Sequence, residues 1–218
     1  MKLLLTSAGL TNKTISDELI RLVGKPASKI NLAFIPTAAN VEEGDKGWLV
    51  DDLVNVQKQG FESLDIVDIS ALPKDVWETR LELTDVLVFG GGNTFHLNYW
   101  LEKSGLKNIL ASMLKTKVYV GISAGSMVAT ENLALSSSKV LYSEEIGKHE
   151  NYKGLGLVDF HVRPHLNSPH FPKVRVKYLR ETTKNLKEVV YAIDDDTAIK
   201  VVDGKVEVIS EGEWEKFN

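Results

Sequence analysis

The chain has 218 residues, 43% of them hydrophobic, with 26 lysines and arginines against 30 aspartates and glutamates for a formal net charge of −4. That composition suits a globular domain spanning residues 1–218 with a sizeable core, and it offers no basic surface for nucleic acid. There is no cysteine, which excludes disulfides, thiolate metal sites and cysteine nucleophiles and fits a cytoplasmic setting; no apolar run approaches membrane-spanning length.

Short apolar runs bounded by Gly, Pro, Ser or Asp occur at Leu3 to Thr6, Ile30 to Ile35, Leu64 to Ile69, Val86 to Phe89 and Val118 to Ile122. Between them lie segments with helical spacing. Ile15, Leu19, Ile20 and Val23 share one face that stops at Gly24-Lys25-Pro26, and Trp48, Leu49, Leu53, Val54 and Val56 form a second face that stops at Gly60. Further helices are expected over 94–103 and 106–115. Near-continuously apolar strands alternating with helices predict an α/β fold, with a mostly parallel central sheet covered by helices on both faces. Residues 131–160 carry weak strand signals and turn residues, which reads as irregular structure or a small antiparallel addition. A helix over 173–184 and a strand over 189–193 follow. The tail from Ala198 reads as a C-terminal hairpin with Asp203-Gly204 as its two-residue turn.

In an open parallel sheet, chemistry gathers at the carboxyl ends of the strands. Gly121-Ile122-Ser123-Ala124-Gly125 sits at such an end, and its small residues allow a sharp strand-to-helix corner with the Ser123 hydroxyl projecting from it. A serine hydroxyl needs a base to become nucleophilic. Of the histidines His96, His149, His161, His165 and His170, His165 stands out: Gly156 to Phe160 resembles a buried strand, and Pro164 disfavours helix around the histidine. A carboxylate must then hold the imidazole, and one of Asp194, Asp195 and Asp196 could do so from the end of the strand over 189–193. Gly90-Gly91-Gly92-Asn93-Thr94 ends another strand and could bring amides to a developing oxyanion. It is not a dinucleotide fingerprint, because Phe95 stands where the third glycine belongs, and the spacing of His161, His165 and His170 does not suit a helical zinc site. No cofactor is expected.

With Phe34-Ile35-Pro36-Thr37-Ala38 added, these blocks together resemble the serine dipeptidases of the aspartyl dipeptidase (peptidase E) and cyanophycinase family, in family order and across most of the chain. The resemblance implies a fold related to class I glutamine amidotransferases and a serine exopeptidase that forms an acyl-enzyme from small peptides, including dipeptides with N-terminal aspartate. It makes Ser123 the nucleophile and His165 the general base, puts the third role on Asp195 within one residue of register, and forms the oxyanion hole from the amides of Gly92 and Ala124. It also implies substrate contacts from Gly91, Asn93 and Asn167. The chain departs from the family twice. Aspartate stands where the best-known dipeptidase has glutamate, and Phe171-Pro172-Lys173 with the later Arg175 replaces the arginine that grips an acidic substrate side chain, leaving Lys173 and Arg175 as substitutes. The expected partner is a small peptide, neither nucleic acid nor membrane, with oligomeric state open. Two alternatives are a member that lost turnover and binds a peptide or partner, and an α/β-hydrolase esterase. The Ser–His–Asp chain order argues against the esterase.

Overall fold

Four of the five apolar runs become strands buried on both faces, with alternate side chains feeding two separate cores, and the run at Leu64 forms a partly exposed edge strand. A computed structural model describes residues 1–133, 135–144 and 153–218. The strands are β1 (Lys2–Thr6), β2 (Asn31–Ile35), β3 (Ser63–Ile66), β4 (Val86–Phe89) and β5 (Val118–Ile122), followed by β6 (His161–Arg163), β7 (Val190–Ile193), β8 (Thr197–Val202), β9 (Lys205–Ser210) and β10 (Trp214–Phe217). A seven-stranded sheet runs β3-β2-β4-β5-β1-β8-β9. Its first five strands are mutually parallel, and the hairpin β8–β9 is added antiparallel to β1.

Leu3, Leu5, Ala33, Ile35, Leu87 and Phe89 face one core, while Leu4, Leu32, Phe34, Val86 and Val88 face the other. Helices α1 (Lys13–Val23) and α2 (Gly47–Gln57) cover the second core. Helices α3 (Lys74–Glu82), α4 (Thr94–Lys103) and α5 (Leu106–Met113) cover the first. Short helix α6 (Ala124–Met127) follows β5, and α7 (Leu135–Tyr142) and α8 (Val176–Thr183) enclose a small third core with β7. Local signals act as read: Asn12 caps α1 by accepting the Ile15 amide at 2.9 Å, and Gly24 ends it in the left-handed region. Asp203 and Gly204 both take positive φ, as a tight hairpin turn requires.

The structure departs from the sequence reading in five places. Helix α3 was not legible, because only Trp77 and Leu81, one turn apart, mark its buried face. The segment over 131–160 contains α7, with isolated bridges from Thr130 to Val158 and Asn132 to Lys153. The strand ahead of His165 is not Gly156 to Phe160 but β6, which begins one residue later. Strand β7 joins β6 and β10 in a separate three-stranded sheet. On α2, Trp48 is 37% exposed, while Asp52 lies buried near Val56.

Candidate active site

The corner after β5 is the focus of the fold. Ser123 adopts φ 48° and ψ −105°, a conformation a non-glycine residue holds only when its surroundings enforce it. The Ser123 amide donates to the Thr6 carbonyl at 3.1 Å, and the Ser126 hydroxyl donates to the same carbonyl at 2.7 Å, which ties the corner to β1. Close packing leaves no choice at Gly125, where a Cβ would stand 2.0 Å from the Phe89 carbonyl oxygen. The result directs the Ser123 hydroxyl into a cleft of about 640 Å³ at the carboxyl ends of the parallel strands.

Across that cleft, His165 Nε2 lies 2.9 Å from Ser123 Oγ, and His165 Nδ1 lies 2.8 Å from Asp195 Oδ1. Three side chains from three distant stretches of sequence form one continuous hydrogen-bonded line. Phe171 stacks on the imidazole, with ring centroids 4.3 Å apart and planes 13° from parallel, and this fixes the ring's plane. Burial pushes the Asp195 carboxyl up, but the hydrogen bond and charge of His165 and the hydroxyl of Ser7 outweigh it, so its pKa is lowered and it stays ionised.

The three aspartates divide their tasks. Asp195 faces His165. Asp194 holds the turn together, accepting the Asp196 amide at 3.1 Å and the Thr197 hydroxyl at 2.6 Å, with the Glu213 amide on its other oxygen. Asp196 donates its amide to that turn, and its carbonyl accepts from the Asn12 side-chain amide.

Gly91 and Gly92 line the cleft, and Gly91 lies against Ser123: a Cβ on it would be 3.5 Å from Ser123 Cβ. Gly92 has φ 124°, and a Cβ there would stand 2.3 Å from the Ala38 carbonyl oxygen, so only glycine fits. Among the described residues, the amides of Gly92 and Ala124 have no acceptor, which leaves both able to donate to a bound group.

Four of the residues that the sequence reading assigned to substrate lie elsewhere. The Asn93 side chain caps α4, accepting the Phe95 and His96 amides at 3.1 and 3.0 Å. An asparagine directly before a helix is a standard cap signal, and that local role replaces the substrate contact expected of Asn93. Asn167 donates to Glu213 at 2.8 Å, away from the cleft. Lys173 is exposed and does not line the cleft. The Arg175 guanidinium closes its own loop through the carbonyls of Ser168, Phe171 and Val174. Of the other histidines, His161 is fully buried in β6, His96 lies on α4, His170 is on the cleft rim and His149 falls outside the described residues.

Three site residues were not anticipated. Ser7, buried after β1, donates to Asp195 and receives the His165 amide at 2.7 Å. Asp52 is buried on α2 at the cleft wall, where burial and then the charges of Asp51 and Asp195 push its carboxyl up to about 7. Glu144 accepts the Thr94 amide at 2.8 Å, and burial pushes its carboxyl up to about 7. None belongs to a recognisable motif; each acquires meaning from its spatial neighbours.

Comparison with known proteins places the chain. The sequence profile of peptidase family S51 matches residues 3–209. An uncharacterized peptidase of Listeria innocua is 31% identical over 188 residues, 81% of this chain and 87% of that protein. A second, from Listeria monocytogenes, is 33% identical over 173 residues, 77% and 80% of the two chains. Peptidase E of Streptomyces coelicolor is 32% identical over 108 residues, 47% of this chain and 42% of that one. A crystal structure described as a peptidase E protein from Listeria monocytogenes superposes with a TM-score of 0.80 at 25% identity, covering 97% of this chain and 98% of that one. Among the described residues, no helix is long and apolar enough to cross a membrane.

Proposed function

This chain belongs to peptidase family S51 and is a serine-type peptidase, and on that premise we propose that it is an exopeptidase hydrolysing small peptides through Ser123, His165 and Asp195. The observation that carries the reading is the line Asp195 Oδ1, His165 Nδ1, His165 Nε2, Ser123 Oγ, with neighbouring contacts of 2.8 and 2.9 Å. In this reading His165 Nε2 takes the proton as Ser123 Oγ attacks the scissile carbonyl, and a tetrahedral oxyanion forms. The amides of Gly92 and Ala124 donate to that oxyanion, an interaction that matters most as charge develops. His165 returns the proton to the leaving amine and an acyl-enzyme remains. Water, deprotonated by the same imidazole, then releases the acid. Asp195 keeps the Nδ1 proton in place and stabilises the imidazolium, a task that its lowered pKa supports.

An N-terminal aspartate preference lacks its usual support, because neither Lys173 nor Arg175 lines the cleft. The test of the reading is Ser123→Ala. Turnover of a dipeptide panel and labelling by a fluorophosphonate should both disappear in folded variant protein. Retention of full peptidase activity by that variant would refute the assignment.

A further inference from the structure

The cleft beside Ser123 is lined by Glu42, Asp45, Asp51, Asp52, Glu144 and Asp195 and, among the described residues, by no lysine or arginine. Lys46, in the same segment, turns its ammonium to the Glu42 carbonyl. Asp195 is engaged by His165 and Ser7. Asp52 is not engaged: it is 8% exposed, and among the described residues its carboxylate accepts no hydrogen bond and meets no cation. A buried carboxylate without a partner is costly, so one that lines a cleft points to a ligand that supplies the missing charge. Its raised pKa is the response of an acid that is first buried and then placed beside the charges of Asp51 and Asp195.

The local geometry makes this a built feature. Trp48, Asp51 and Asp52 recur at one-turn spacing on α2, so a single helix face presents an aromatic ring and two carboxylates to the cleft. Trp48 stands over Gly91, 3.6 Å from where a Cβ would be, which puts its ring next to Ser123's own neighbour. An aromatic face beside carboxylates is a favourable setting for an organic cation. Glu144 Oε2, also buried and without a hydrogen-bond partner among the described residues, adds a second acceptor on the cleft wall. Among the described residues, no three His, Asp or Glu side chains converge as metal ligands, so the arrangement suits an ammonium or guanidinium better than a metal ion.

We propose that the cleft selects peptides carrying a positive charge close to the scissile bond, with Asp52 as the inner counter-ion and Asp51 and Asp45 at the rim. The charge is an α-ammonium group or a basic side chain. The proposal rests on reading Ser123 as the nucleophile. Where the charge is a basic side chain, the preference is the reverse of an aspartyl dipeptidase's, whose acidic side chain would here meet like charges.

Three fluorophosphonates of matched length, ending in an ammonium, a hydroxyl and a carboxylate, test it through the rate of Ser123 labelling. The ammonium probe should react at least about tenfold faster than the carboxylate probe, and the ratio should fall towards one in high salt. Asp52→Asn should reduce the same ratio. Should that variant not fold, the salt dependence of the wild-type ratio is the deciding measurement. Equal rates, or faster labelling by the carboxylate probe, overturn the proposal while leaving Ser123 as nucleophile intact. Failure of all three probes to label folded protein overturns the nucleophile reading and the proposal with it. Protection of Ser123 by alanine amide assigns the charge to an α-ammonium, and protection by Nα-acetyl-lysine amide assigns it to a side chain. Protection by neither beyond a neutral amide counts against the proposal.

Discussion

Ser7 and Asp195 stand at opposite ends of the chain, yet the Ser7 hydroxyl donates to Asp195 Oδ1 at 2.5 Å. The same hydroxyl receives the His165 backbone amide at 2.7 Å, so one buried side chain sets both members of the His–Asp pair. Its position follows from topology: β1 lies between β5, which Ser123 directly follows, and β8, which follows Asp195. Ser7 is therefore a positioning residue. Ser7→Ala is expected to lower kcat roughly ten- to a hundredfold with little change in KM, and to move the acidic limb of the pH–rate profile. Ser7→Thr, which keeps a hydroxyl, should recover part of the loss. An alanine variant with unchanged kcat and pH profile would remove Ser7 from this role.

Gly92→Ala tests the oxyanion amides. At φ 124°, with the Ala38 carbonyl 2.3 Å from the new Cβ, the loop must shift and carry the Gly92 amide with it. Loss of one aligned donor costs about a hundred- to a thousandfold in kcat. Steady-state kinetics on variant protein of normal circular dichroism measures it, and a loss under about threefold would exclude the Gly92 amide from the reaction.

Asp194 and Asp195 should separate stability from turnover. Asp194→Ala removes the acceptor for the Asp196 amide, the Thr197 hydroxyl and the Glu213 amide, and is expected to cost on the order of 1–3 kcal/mol of stability. Activity per folded molecule should persist. Asp195→Ala should do the reverse, losing most of kcat with a smaller shift in melting. Denaturant titration alongside kinetics decides, and swapped phenotypes would move the orienting role to Asp194.

Asp52 makes stability depend on pH with a defined sign. Its folded pKa of about 7 lies above the ordinary value of 3.8, so between these the native state holds more proton than the unfolded chain. Stability from this group therefore falls as pH rises from about 4 to 7, and the full penalty remains above 7. Asp52→Asn, which mimics the neutral acid, should be more stable than wild type at pH 8, by on the order of 1–3 kcal/mol, with the difference vanishing near pH 4. Denaturant midpoints at both pH values check it; a difference independent of pH would contradict the sign. The variant is also the one expected to lose charge selectivity, so here stability and substrate choice oppose each other.

Much of the fold was legible because its signals are local. Apolar runs of strand length and faces of helical period need only a few neighbouring residues, and β4, β5 and α4 lie at the bounds their patterns predict. Helix α3 escaped because two buried side chains make a weak period, and α7 because its segment carries turn residues that imitate a loop. At the site, Ser123 was readable from the small residues of its corner and His165 from the proline before it. The substrate contacts were not. Asn93, Asn167 and Arg175 are polar residues whose partners turned out to be the protein's own amides, carbonyls and Glu213.

The sequence by itself determined the alternating α/β plan, the serine at a sharp strand end and the absence of any thiol chemistry, since each depends on residues adjacent in the chain. Tertiary structure alone decided that Asp195 and not its neighbours meets His165, that Ser7 holds them both, and that Asp52 sits unpaired in an acidic cleft. Those outcomes turn on which strands lie side by side and which helix face is turned to the cleft. Hydrogen bonds and charges act over a few ångströms in space, whatever the separation along the chain.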